Sequence, residues 1–327
     1  MRAVLCREWG PPESLVLEDM ASPVPQKDEV VISVRAVNVS FANVLQIANK
    51  HQNKYERPFS PGREVAGLIK EVGEGVTQFK AGDAVIGLGK HGGCAEEVIS
   101  AVGDLRRIPA GVDFKLAVAS GSSYVTGLYG LRDRGQLRAG ETLLVLGASG
   151  GVGLAAIELA KMMGAKVIAC ASSQEKLELC RRYGADELVN YESENLREAI
   201  KRLTGDRGVD VVYDPVGGKY SEPAIRGMAW GGRYLVVGFA AGDIPKIPLN
   251  LPLLKGCSLV GVWIGGLQVR DPKANTALLD EVMSLLVAGR VKPCVSAVYP
   301  LERVADALND LKNRRVVGKI VVTPQRN

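Results

Sequence analysis

Apolar residues fall in two rhythms along this chain. Up to about residue 120 they gather in short runs at 3–6, 15–17, 30–39, 64–72, 84–88 and 95–99, separated by glycine turns such as Gly73-Glu74-Gly75 and Gly92-Gly93. That punctuation predicts the strands of a compact, rolled β domain, interrupted by helices at 41–48 and 114–119. From about residue 122 strand-like runs at 143–146, 166–170, 187–189, 209–213, 233–237 and 258–263 alternate with helical stretches at 154–163, 174–183, 195–203, 221–229 and 249–254. Six strands with crossover helices predict a doubly wound parallel sheet. Beyond residue 263 come a helix at 275–288, a strand within 291–299, a helix at 301–311 and a strand at 319–322. These are too few for a domain of their own. They are expected to complete the first one, giving an α/β protein with one domain from 1–121 and 265–327 and a second from 122–264.

The junction after the run 143–146 carries the first chemistry. It reads Gly147-Ala148-Ser149-Gly150-Gly151-Val152-Gly153 and opens directly into a helical stretch. Strand, glycine turn and helix put free backbone N–H groups and a positive helix end at one point, which suits a phosphate. The spacing is that of a dinucleotide fingerprint with Ala148 in place of the first glycine, and it follows the first strand of the parallel sheet, where a Rossmann domain needs it.

The second strand of such a domain selects the dinucleotide. An Asp or Glu at its tip accepts from the ribose 2′-OH of NAD. Here the tip reads Cys170-Ala171-Ser172-Ser173-Gln174-Glu175-Lys176. Ser172, Ser173 and Lys176 are able to donate to a 2′-phosphate, which a carboxylate would repel, so NADPH is the expected cofactor. The plainer alternative makes Ser172 a helix cap and Lys176 a solvated charge.

Composition narrows the remaining classes. The chain of 327 residues is 46% hydrophobic and 24% charged, ordinary for a globular protein, and its 38 glycines suit the turns of an α/β fold. A net charge of +5 without a basic block makes nucleic acid an unexpected partner. No signal-peptide pattern follows Arg2, no apolar run spans a membrane, and six cysteines without paired spacing suit reduced thiols, so a cytoplasmic protein is expected. There are two histidines and no Cys-x-x-Cys; His91-Gly-Gly-Cys94 has no second pair to close a zinc tetrahedron, so no metal site is expected.

Several blocks, in one order along nearly the whole chain, resemble the zinc-free quinone oxidoreductase (zeta-crystallin-like) branch of the medium-chain dehydrogenase/reductase superfamily. They are Trp9-Gly-Pro-Pro-Glu-Ser-Leu15, Pro61-Gly-Arg-Glu-Val-Ala-Gly67, Val72-Gly-Glu-Gly-Val76, Ala81-Gly-Asp-Ala-Val-Ile86, Ala148–Gly153, Tyr213-Asp-Pro-Val-Gly-Gly218 and Gly318-Lys319. The resemblance implies a GroES-like β-rich catalytic domain, a Rossmann cofactor domain, NADPH and a homodimer. It implies a cofactor shell of Thr126, Ala148, Ser149, Gly150, Gly151, Val152, Gly153, Ser172, Ser173, Lys176, Tyr191, Val216, Gly238, Phe239, Ala240, Arg314 and Arg315. Where zinc-dependent relatives place a metal-binding histidine after the glycine of the Pro61-Gly62 block, this chain has Arg63. Relatives read Asn-Phe-x-Asp on the helix that faces the nicotinamide, and here Ser40-Phe41-Ala42-Asn43 stands there.

A hydride acceptor such as a quinone or an activated alkene gains charge on oxygen, which a donor can stabilise and protonate. His51 is the candidate donor, with Tyr55 or water as substitutes, and the acceptor pocket is expected to include Ser40, Asn43, Tyr55 and Trp263. The expected activity is NADPH-dependent hydride transfer to a quinone or other electron-poor small molecule without a metal. Enal or enone reduction is one alternative. A low-turnover NADPH-binding protein with a structural or RNA-binding role is the other.

Overall fold

A computed structural model describes residues 1–51, 53–89 and 91–325. They form two compact units, one from residues 1–122 with 283–327 and one from 123–282. The chain opens with β1 (Arg2–Leu5), β2 (Val16–Asp19), β3 (Glu29–Val39), α1 (Phe41–Ile47), β4 (Glu64–Val72), β5 (Ala84–Leu88), β6 (Glu97–Ala101) and β7 (Leu105–Arg107). Next comes α2 (Phe114–Leu128), in which the unit boundary falls. There follow β8 (Thr142–Val145), α3 (Gly151–Met162), β9 (Lys166–Ala171), α4 (Gln174–Arg182), β10 (Glu187–Asn190) and α5 (Leu196–Thr204). The run continues with β11 (Val209–Asp214), α6 (Ser221–Arg226), β12 (Met228–Val236), α7 (Asn250–Lys255), β13 (Ser258–Gly261), α8 (Ile264–Arg270) and α9 (Pro272–Val287). Last are β14 (Val295–Pro300), α10 (Val304–Lys312) and β15 (Lys319–Thr323).

The six strands β8 to β13 make one sheet in the order β10-β9-β8-β11-β12-β13, every pair parallel. This is the doubly wound arrangement, with the reversal of strand order between β8 and β11. Leu143, Leu144 and Val145 are fully buried, as a strand covered by helices on both faces must be. The crossover helices carry their own punctuation. In α5, Asn195 caps the start by accepting from the Glu198 N–H at 3.2 Å, Leu196, Ala199 and Ile200 form the buried stripe, and Gly205 in the left-handed region ends it.

The other unit holds a sheet in the order β14-β15-β3-β4-β5-β7, with β6 also paired to β3. Its core gathers Val30, Ile32, Val34, Val37 and Val39 of β3 with Val65, Ile69, Val85, Phe59, Leu301, Leu308, Ile320 and Val322. Residues 295–323 thus return to complete a sheet begun near the start of the chain, as the sequence pattern predicts.

Three local features differ from expectation. The helix expected at 114–119 runs on to Leu128, through residues that are weak helix formers, because contacts require small residues there. A Cβ on Gly121 would lie 1.9 Å from Glu64 Oε1, and one on Gly127 would lie 2.6 Å from Leu159 Cδ1. The strand expected over 258–263 stops at Gly261, and Trp263 becomes the N-cap of α8, whose Gly266 packs against the indole ring. The boundary expected near residue 264 lies after Val282, so residues 265–282 belong with the parallel-sheet unit; Glu281 is tied there by the Arg132 guanidinium at 2.8 Å. Among the described residues, no helix is long and apolar enough to cross a membrane.

Candidate functional site

The carboxyl edge of the parallel sheet collects the glycine turn and the loops beside it. Gly147 takes φ +58, and the N–H of Gly150 donates back to its carbonyl at 3.1 Å, closing the turn. Gly150 is the N-cap of α3 and no side chain caps that helix, so the first-turn N–H groups of Gly151, Val152 and Gly153 have no intrahelical acceptor. A Cβ on Gly153 would lie 2.5 Å from Gly147 O and 2.6 Å from Ala148 O; only glycine lets the helix come this close to the strand. Free donors, a helix dipole and a backbone free of side chains make a cradle for a pyrophosphate. Ala148 and Ser149 are buried beneath it.

At the end of β9, Ser173 caps α4, its hydroxyl accepting from the Lys176 N–H at 3.4 Å. Lys176 Nζ donates to Ser172 Oγ at 3.2 Å, which holds the ammonium over the strand tip rather than out in solvent. The cap assigned to Ser172 in the plainer sequence reading is therefore made by Ser173. At the end of β10, the Tyr191 N–H donates to Ala171 O at 3.2 Å, and the Tyr191 ring lies 4.3 Å from that of Tyr220. Lys219 sits over Tyr220 at 5.0 Å, and the Tyr220 hydroxyl donates to Glu192. Two tyrosine rings and two lysines thus lie near one edge of the sheet, beside a tip without a carboxylate.

The loops after β11 and β12 depend on a residue that sequence reasoning passed over. Asp214, 2% exposed, accepts from the Val216 N–H at 2.7 Å and the Gly217 N–H at 2.8 Å through Oδ1, and from the Ser221 hydroxyl at 2.9 Å and the Tyr234 hydroxyl through Oδ2. Burial, then the adjacent carboxylate, pushes the Tyr234 phenol far up, so it stays a donor. Gly238 N–H donates to Asp214 O at 3.2 Å, and Ala240 N–H to Pro215 O at 3.1 Å, so the Val216 and Gly238-Phe239-Ala240 loops form one bonded pair. The signal available in the sequence was a lone carboxylate ending an apolar strand just before Pro215. Thr126 is buried on α2 in the same unit, and Trp263, 54% exposed, belongs to it too.

The other unit holds the remaining candidates. Asn43 is 2% exposed and engaged at both ends: it accepts from the Ser40 N–H at 2.8 Å and donates to Gln46 at 2.9 Å, and Gln46 donates to the Tyr55 hydroxyl at 2.9 Å. It secures the start of α1 and connects it to Tyr55. His51 is half-buried, its Nδ1 accepting from the Asn53 N–H at 3.1 Å, which leaves the ring proton on Nε2. Desolvation, with Arg63 and Lys54 alongside, holds the imidazole below its ordinary pKa, so it is a neutral donor at pH 7. Arg314 takes φ +56, and Arg315 lies 3.7 Å from Asp310; both belong to this unit rather than to the one that holds the glycine cradle.

His91 lies on a loop against the Tyr55 and Phe59 rings, and Cys94 is fully buried, its thiol pushed up to about 12 by desolvation. Among the described residues no group of three His, Cys, Asp or Glu side chains is arranged to hold a metal.

Known proteins match both units. A model of the alcohol dehydrogenase GroES-like domain matches residues 26–110, and one of zinc-binding dehydrogenases matches 151–282. Bovine quinone oxidoreductase-like protein 2 is 38% identical over 323 residues, covering 98% of this chain and 92% of its own. The chain belongs to the quinone oxidoreductase branch of the medium-chain dehydrogenase/reductases. Within that oxidoreductase family, the Escherichia coli quinone oxidoreductase solved with NADPH is 27% identical with a TM-score of 0.94, over 99% of this chain and 100% of the other. CurK enoyl reductase is 27% identical with a TM-score of 0.89, over 98% of each chain. The GroES-like and Rossmann parts of this quinone oxidoreductase relative are thus the β-rich unit and the parallel-sheet unit.

Proposed function

We propose that this chain binds NADPH on its Rossmann unit and passes hydride to a quinone or another electron-poor small molecule, without a metal. The observation that carries the cofactor choice is the strand tip at Ser172 and Lys176, a cationic, hydroxyl-bearing end with no carboxylate to repel a 2′-phosphate. The N–H groups of Gly151, Val152 and Gly153 hold the pyrophosphate, and Tyr191, Thr126, Val216 and the Gly238–Ala240 loop line the rest. When bound, NADPH supplies the hydride; the protein supplies position and exclusion of water. On the acceptor side the β-rich unit offers Ser40, Asn43 and Tyr55. The His51 Nε2–H, or the Tyr55 hydroxyl kept oriented by Gln46, donates to the oxygen that becomes negative.

The likeness to CurK enoyl reductase favours a second reading within the same chemistry, reduction of a double bond conjugated to a carbonyl. The buried Asn43, fully engaged within its own helix turn, favours a third, a protein that binds NADPH with little turnover. Fluorescence titration with NADPH and NADH, followed by NADPH consumption with quinones and with enones, separates them. Equal or tighter binding of NADH ends the cofactor assignment. Tight NADPH binding without consumption by either acceptor class selects the third reading.

The proposal extends to a homodimer and a cytoplasmic setting. β13 forms the edge of the parallel sheet, with Leu259 42% exposed, and pairing with a second copy would cover it. No disulfide joins the described cysteines, as a reducing compartment requires. A monomer by sedimentation would remove the dimer.

A further inference from the structure

The parallel-sheet unit carries an open cavity of about 360 Å³, separate from the glycine cradle. Lys219 and Arg226, from the segment after β11, line it together with Lys246, from the segment after β12. Its one acid is Glu222, and Pro223 and Ile247, both half-buried, add apolar surface among the charges. The cations have donors to give. Lys246 is exposed, and its side chain makes no hydrogen bond or ion pair among the described residues. Arg226 donates from Nε at 2.9 Å and from Nη2 at 2.7 Å to one and the same Glu222 oxygen, which neutralises the acid from within α6 and leaves Nη1 over. Lys219 donates to Glu192 at 3.2 Å, with its side chain 70% exposed. The two segments are also bonded to each other. The Gly218 N–H donates to Asp243 O at 3.2 Å and the Ala241 N–H to Val216 O at 2.8 Å, and a Cβ on Gly217 would lie 2.9 Å from the Phe239 ring.

From this cavity we infer a second anion site, one that takes a small phosphate monoester, with its dianion between Arg226 and Lys246 and its short carbon group against Pro223 and Ile247. Three cations against one acid that is already paired leave an excess of positive charge, which a carboxylate would only half offset. A phosphate brings close to two charges and three acceptor oxygens, and guanidinium and ammonium donors suit it. The volume lies near the lower end of small-molecule sites, as a short ester requires. An anion held by both segments would tie them together, and with them the loops at Val216 and Gly238–Ala240 assigned above to NADPH. Filling the site is therefore expected to tighten NADPH, and NADPH to tighten the anion by the same factor. The site stands on the cavity alone; its coupling rests on the cofactor reading.

The test is calorimetric titration of the intact chain with phenyl phosphate, alone and with NADPH present, using orthophosphate and benzyl alcohol to probe each half of the ligand. One phenyl phosphate should bind per chain, about fivefold tighter than orthophosphate because of its apolar contact, and benzyl alcohol should not bind. Lys246→Gln and Arg226→Gln should each weaken phenyl phosphate about fivefold, and Lys246→Arg should restore most of the loss. Both side chains are exposed, so melting temperatures should hardly move. Saturating NADPH should tighten phenyl phosphate about fivefold. No saturable binding by wild type, unchanged binding in both glutamine variants, or displacement of phenyl phosphate by NADPH would overturn the site. Phenyl phosphate binding indifferent to bound NADPH would overturn the coupling. Anion binding that needs Lys246 and Arg226, in a protein that fails to bind NADPH, would sink the cofactor reading and keep the site.

Discussion

The contact between Gly153 and the turn before it gives the sharpest prediction. In Gly153→Ala the new methyl must enter a space where Gly147 O, Ala148 O and Ala148 Cα stand at 2.5, 2.6 and 2.7 Å. All three are backbone atoms, so no side chain can swing aside. The helix must back away from the strand or the turn must open. Overpacking of a tight site costs about 1–3 kcal/mol, and a rigid backbone wall puts this case at about 3 kcal/mol. For a unit of this size that corresponds to a fall in Tm of about 6–12 °C. Gly150→Ala is the control. Gly150 has φ −77 and ψ 166, open to any residue, and its Cβ would meet nothing nearer than Gly147 O at 3.4 Å. Its stability should stay within about 0.5 kcal/mol of wild type. Its methyl stands at the mouth of the cradle, however, so NADPH affinity should drop about tenfold, as expected where backbone must approach a pyrophosphate. Thermal melting of the two variants, with NADPH fluorescence titration, checks both halves. A Gly153→Ala protein that melts with wild type, or a Gly150→Ala protein that loses as much stability, would refute the reasoning.

Three further predictions concern single side chains. Asp214→Asn replaces an acceptor of four donors by an amide that presents N–H to two of them, and should cost about 3 kcal/mol in urea unfolding while weakening NADPH through the loops at Val216 and Gly238; an unchanged midpoint would remove Asp214 from its place. Lys176→Ala should raise the NADPH Kd about tenfold and leave the NADH Kd nearly unchanged, since only the former has a 2′-phosphate to lose; parallel losses would mean that Lys176 serves the fold alone. His51 is held below its ordinary pKa of 6.5, chiefly by burial, so the unfolded chain takes up its proton first as pH falls. The stability His51 contributes is therefore complete above about pH 6.5 and is lost as pH falls through the depressed folded value. His51→Asn should flatten the stability-against-pH curve between about pH 7 and 5, and a curve of unchanged slope would contradict the assignment.

The parallel-sheet unit was legible because its signals are local. A fully apolar run such as Leu143 to Val145, a glycine turn and an amphipathic helix each declare themselves over a few residues. The cradle and the Ser172–Lys176 tip follow from strand order alone. What stayed hidden depends on contacts between distant residues. Nothing near Gly121 announces that Glu64, far back along the chain, presses on the helix there and excludes a side chain. The strand at Leu105–Arg107 is only three residues long, two of them arginines, and exists because β5 offers it an edge. Nor did the motif that named Asn43 announce its local bonds, from the Ser40 N–H and to Gln46, which close the first turn of α1. The ring contacts among Trp9, Tyr55, Phe59 and His91 join residues more than eighty positions apart, which no local pattern announces.

The register Ile320↔Val39 and Val321↔Asn38, which joins β15 to β3, carries a consequence for the order of events on the ribosome. The parallel-sheet unit is one continuous stretch and can fold as soon as residues 123–282 have emerged. β3, made much earlier, must wait for residues 319–323 before its last few N–H and C=O groups find partners. During synthesis the end of an apolar strand, Val37 to Val39, therefore stays unpaired on one side for most of the time the chain is tethered, the condition under which neighbouring nascent chains pair with each other. Chains released before β15 is made should accumulate as aggregates that contain a folded cofactor unit and an unfinished partner, so the yield of this protein is set by its last strand.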